Sequence, residues 1–106
     1  MIVRYWSGRV PVVHASDFRR HLMATGVSDY QAQQGLIDVA LWRRDSGGSA
    51  MFTLVSTWRD MESIHAFAGS DPTCAVLYPG DQAFQLIPDT FVTHHELIER
   101  LPCKLA

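Results

Sequence analysis

The sequence predicts an α+β fold of the ferredoxin-like class, a βαββαβ chain with a four-stranded antiparallel sheet and both helices on one face. Three observations predict it. Apolar residues recur with the period of a strand and then of a helix, in the order strand, helix, strand, strand, helix, strand. The two middle strand patterns flank "RRDSGGSA", a glycine-rich turn signal that joins them as an antiparallel hairpin. The strand patterns also carry apolar residues on both alternating sets, so the face away from the helices needs cover of its own.

Each element follows from its residues. Ile2 to Arg9 reads as the first strand, rich in Ile, Val, Tyr and Trp, with Arg4 and Trp6 on one face and Val3 and Tyr5 on the other. From Val12 to Thr25 the pattern turns helical, with Phe18, Leu22 and Thr25 on one side, Ser16 or Asp17 as cap and Gly26 just past the end. Polar, glutamine-rich Val27 to Gly35 reads as a connection. Leu36 to Arg44 and Ala50 to Trp58 are the hairpin strands, the second with Phe52, Leu54 and Trp58 facing away from Met51 and Val55. Asp60 is placed to cap a second helix whose apolar face is Met61, Ile64, Phe67 and Ala68, with Gly69 ending it. In the irregular middle, Asp71 or Ser70 caps a short turn over Cys74 to Tyr78 that Pro72 begins and Pro79-Gly80-Asp81 ends. The last strand is expected over Phe91 to Leu101.

Composition narrows the class of function. The 106 residues are the length of one domain, 1–106, and 47% hydrophobic with 19% charged is the balance of a water-soluble globule. Three Trp, three Tyr and five Phe are more apolar surface than so short a chain hides alone, which points to a homodimer with two sheets packed together. A net charge of −2 with scattered basic residues gives no footprint for nucleic acid. No apolar run reaches the ~20 residues of a membrane span, and no signal peptide is visible at the start. Cys74 and Cys103 lack close spacing and read as reduced thiols of a cytoplasmic protein.

Three stretches carry a resemblance: "MIVRYWSG" at the start, "STWRDMESIHAFAGSDPTCAVLYPGD" in the second half, and "THHE" in the last strand. With the order of elements, they resemble the antibiotic biosynthesis monooxygenase-like family, whose architecture is the dimeric α/β barrel. The most specific pieces are Trp58, Phe67-Ala68-Gly69, Tyr78-Pro79 with Asp81, and His94 with Glu96. The resemblance implies a pocket between helices and sheet, and a cofactor-independent oxygenase acting on an aromatic or flat apolar molecule. The fold also serves a non-catalytic, ligand-binding or stress-related dimer. The described oxygenases place an asparagine at the pocket, and this chain has none. The haem-degrading branch has an iron-binding histidine soon after the second helix, and Thr73 to Pro79 contains no histidine. Neither the asparagine-based mechanism nor haem is carried over, so no cofactor or metal is expected.

The candidate site residues follow. His94 and His95 are adjacent in a strand and point to opposite faces, so they do not share one metal. The resemblance selects His94, on the same face as Glu96, as a general base. Arg4 or the Tyr78 hydroxyl would stabilise the substrate anion. Trp6, Trp58, Phe67 and Tyr78 either line a flat apolar cavity or form core, and Asp81 joins them as a substrate contact. An inward arginine needs a partner, and Asp81, Asp38, Glu96 or an anionic ligand would serve. His14, His21 and His65 read as surface residues. No phosphate-binding loop or Ser-His-Asp signature is present.

Overall fold

The computed structural model describes residues 1–102, so Cys103 lies outside the described residues. Strand β1 (Ile2–Pro11) runs through the middle of the sheet. Its first partner is β3 (Ser49–Trp58), antiparallel from Ile2 opposite Trp58 to Pro11 opposite Ser49. Strand β2 (Leu36–Ser46) pairs with the other edge of β3. Gly47 and Gly48 join them with φ of +58° and +81°, the left-handed pair that a two-residue hairpin turn requires. A bulge between Leu36 and Asp38 puts Ile37 out of register.

The other edge of β1 is shared by two short strands, β4 (Ile87–Pro88) and β5 (Thr93–Glu96). The last strand is therefore split and shorter than the apolar pattern predicts. Pairing stops because β1 begins at Ile2, opposite Glu96; the Leu97 amide makes the final bond to the Met1 carbonyl. Beyond it Ile98 and Leu101 pair with no strand among the described residues and are exposed.

The first helical segment also outruns its prediction. After a tight turn at Val12–His14 come α1 (Ala15–Leu22), a widened turn at Met23–Val27 and α2 (Ser28–Gln31). Neither Ser16 nor Asp17 caps it; α1 starts behind His14 without a side-chain cap, and Asp17 pairs with Arg20. Gly26 does not end the helix, because Val27 and Tyr30 beyond it are buried and their packing outweighs the glycine's cost. Helix α3 (Met61–Ala68) matches its signals: the Asp60 carboxylate accepts from the Ser63 amide at 2.9 Å, and Gly69 follows with φ +91°.

Both helical layers pack on one face of the sheet. Phe18 of α1 meets Phe52 edge-on at 5.4 Å, Tyr30 of α2 meets Trp58 at 5.9 Å, and Phe67 of α3 meets Trp58 at 5.4 Å. Trp58, Phe18, Phe52 and Ile64 are fully buried, each contributing about 1.5–3 kcal/mol of apolar burial. The opposite face is mixed: Val3, Met51, Val55, Tyr5 and Trp42 stand beside Arg9 and Arg44, with Trp42 55% exposed.

The segment between α3 and β4 differs from its prediction. Asp71 caps a turn, accepting from the Thr73 amide and hydroxyl, but Cys74 to Tyr78 has no regular secondary structure apart from one bridge to Phe91. The single helical turn comes later, at Asp81–Phe84, opened by Gly80 at φ +92°. Among the described residues, no helix is long and apolar enough to cross a membrane.

Candidate functional site

Alternation along β1 turns Arg4 inward, where it is 1% exposed. Register places Ser56 on one side of it and His94 on the other. Its guanidinium donates to the Pro72 carbonyl, to the Cys74 carbonyl at 3.1 Å and to His94 Nε2 at 2.9 Å, and lies 5.8 Å from the centre of the Phe67 ring. Nε has no partner. Among the described residues, no carboxylate pairs with Arg4. Asp81 is taken by His21 at 2.6 Å, Asp38 by Arg100 at 3.5 Å, and Glu96 is exposed. The three carboxylates expected as its partner are thus engaged elsewhere or out of reach. Arg4 is a buried cation held by carbonyl dipoles and an imidazole, with the buried Tyr30 phenol beside it.

That arrangement sets the state of His94. Arginine has only donors, so Nε2 accepts and the ring is neutral with its proton on Nδ1. Burial, then the charge of Arg4, then His95 and His65, hold His94 below its ordinary pKa of 6.5. His95 points the other way, exposed and bonded to the Thr93 hydroxyl. A depressed histidine favours the folded chain while it is neutral. As pH falls from 6.5 through the lower folded value, the unfolded chain takes up the proton first and stability is lost. His94→Asn, whose amide oxygen can accept the same bond, should lose less stability than wild type over that window in urea titrations at successive pH values.

The aromatic residues divide into two groups. Tyr30 meets Trp58 and Phe67 edge to face, and Trp58 and Phe67 lie tilted at 31°, with centroids 4.7–5.9 Å apart. Trp6, Tyr30, Tyr78, Leu54 and Asp81 line a narrow, partly open void of about 20 Å³, room for one water. Outside it lies a groove of about 330 Å³, lined by residues 77–82 with Leu86 and Pro88. So Trp6, Tyr78 and Asp81 stand at the void, Arg4 and His94 form a cluster with Phe67 and Trp58, and Tyr30 touches both sets. Tyr78 donates its hydroxyl to Asp29 Oδ2 at 2.6 Å; burial and that carboxylate push its phenol far above the usual range, so it remains a donor. Cys74 is an exposed thiol pushed up by neighbouring Asp71.

No family model matches the chain, and no curated protein matches it significantly. Solved structures do. A candidate antibiotic biosynthesis monooxygenase from Deinococcus radiodurans aligns over 98% of this chain and 99% of its own, with TM-score 0.69 and 14% identity. SnoaB, a cofactor-independent oxygenase from Streptomyces nogalater, aligns over 95% and 97%, with TM-score 0.61 and 12% identity. The chain has the antibiotic biosynthesis monooxygenase-like fold. An MhuD variant holding two manganese protoporphyrin IX molecules per active site aligns over 97% and 100%, with TM-score 0.62 and 16% identity. In the present chain Thr73–Pro79 offers no imidazole to an iron.

Within this monooxygenase-like fold, sequence patterns overlooked three residues of the site. Tyr30 was hidden in a stretch too polar to read as helix, although it follows buried Val27 by three residues. Asp29 beside it binds Tyr78. His21 follows Phe18 by three residues, the spacing of one helix face, and its side chain is 14% exposed rather than at the surface.

Proposed function

We propose that this protein is a cofactor-independent oxygenase that binds an aromatic or flat apolar molecule between helices and sheet. The single observation that carries the reading is Arg4, a buried guanidinium that, among the described residues, has no carboxylate partner and no hydrogen bond at Nε. A lone buried cation is costly, and an anion formed on a bound substrate would offset it. The Arg4–His94 bond couples the two events. As a substrate hydroxyl or acidic C–H ionises, NH1 leaves Nε2 for the developing oxyanion, and the freed Nε2 takes the proton. The substrate anion reduces oxygen. One oxygen atom enters the substrate as a carbonyl in place of two hydrogens and the other leaves as water, so the substrate supplies all the electrons. The open sheet face with Tyr5, Trp42 and Val55 supports a homodimer. An oxygen electrode with a panel of hydroquinones and anthrones tests the reading. Uptake should fall about 100-fold or more in His94→Ala, the range for loss of a general base; absence of uptake, or an unchanged His94→Ala, overturns it.

A second reading, a ligand-binding dimer without turnover, draws on a different observation. The Nε2 lone pair of His94 and the Tyr78 hydroxyl are both already engaged, which leaves no free base. Native mass spectrometry recovering a bound small molecule unaltered after incubation in air would favour it.

A further inference from the structure

The inner void and the outer groove share three lining residues, Leu77, Tyr78 and Asp81. Those three residues therefore stand between the two spaces. We propose that residues 77–81 are a gate, with Asp29 and His21 as the positioning residues that hold it closed. The inference rests on the reading that a flat ligand binds inside the fold.

Volume makes the case for movement. A void of about 20 Å³ takes one water, whereas a benzene-sized ligand needs on the order of 150 Å³. Joined to the groove of about 330 Å³, the same space would admit a flat aromatic molecule. Polar side-chain bonds, more than sheet pairing, hold the partition. Between the Cys74–Phe91 bridge and β4 it has no strand partner, and Leu77 is 46% exposed. Tyr78 donates to Asp29 of α2 at 2.6 Å, and Asp81 Oδ1 meets His21 Nε2 of α1 at 2.6 Å. Asp81 Oδ2 accepts from the Tyr78 amide at 2.8 Å, which ties the two latches together. Each anchor sits on a helix, so the gate can release without breaking the sheet.

The backbone supplies pivots. Gly80 at φ +92° and Gln85 at φ +56° bracket the turn after the gate, two left-handed positions in six residues. Gly80 also lets His21 close in, since a Cβ there would lie 3.3 Å from His21 Cε1.

Amide exchange by NMR and stopped-flow binding of 1-naphthol, a flat phenolic probe, test the gate in Tyr78→Phe and His21→Leu. Each variant should speed exchange at residues 77–81 roughly fivefold to tenfold, the factor for one lost hydrogen bond. Leu54, in the middle of β3, should be unchanged, and 1-naphthol should associate faster by a similar factor. Equal acceleration at Leu54 would make these bonds part of global stability and overturn the gate, as would unchanged exchange at 77–81. Faster local exchange with an unchanged 1-naphthol association rate also overturns it, because access then lies elsewhere. Faster local exchange with no 1-naphthol bound by any of the three proteins upholds the moving segment and overturns the proposed ligand class instead.

Discussion

Arg4→Met is expected to lower stability by about 2 kcal/mol, with the His94 pKa moving back toward 6.5. The methionine keeps most of the stem but removes all donors to the Pro72 carbonyl, the Cys74 carbonyl and His94. Hydrogen bonds from a charged donor contribute about 1.5–3 kcal/mol each. Against their loss stands relief of an uncompensated buried charge, an effect of several kcal/mol. Three bonds outweigh one desolvation penalty, which sets the sign. Urea unfolding reads the stability, and NMR titration of the His94 ring reads the pKa. Arg4→Lys separates charge from geometry: one ammonium cannot span both carbonyls and the imidazole, so stability should fall while the His94 pKa stays low. A stable Arg4→Met with an unshifted His94 would show that the cluster carries neither load.

Gly35→Ala is the second large effect, a loss of about 1–3 kcal/mol from overpacking. A Cβ on Gly35 would lie 2.1 Å from both Cβ and Oγ of Ser63, in the first turn of α3. Cβ is fixed to the helix backbone, so no rotamer change relieves the contact. The Gly35 carbonyl meanwhile accepts from the Arg59 amide, which pins the two segments together. Ser63→Gly removes both clashing atoms. Alone it should destabilise, by about 0.5–1 kcal/mol for glycine in a helix. In the Gly35→Ala background it should restore part of the loss, a coupling that a double-mutant cycle by urea unfolding measures directly.

Features that depend on neighbours in sequence were legible before the structure. Alternation put Phe52, Leu54 and Trp58 on one face of β3, and Asp60 and Gly69 marked the two ends of α3. Alternation likewise put Arg4 on the face of Trp6. Its partners were not legible, because two of them are main-chain carbonyls, which every residue has and no residue type announces. Asp81 invited an ion pair with Arg4 by charge alone, yet the fold delivered it to His21. Gly26 suggested a stop because its cost is local, while the buried area of Val27 and Tyr30 depends on the whole fold. The reach of the last strand depended on where β1 begins, ninety-odd residues earlier.

That placement of β1 has a consequence for folding rate and order. The strand nearest the start of the chain occupies the centre of the sheet, and one of its edges waits for residues 87–96. The hairpin of β2 and β3 can close on local contacts, and β1 can dock on it. The Arg4–His94 contact, however, spans 90 positions and requires closing a loop of nearly the whole chain. Topology of this kind slows folding, because the non-local pairing must close before its contacts form. During synthesis β1 lacks that neighbour until β5 has left the ribosome, so the buried cation is among the last pieces of the molecule to find its place.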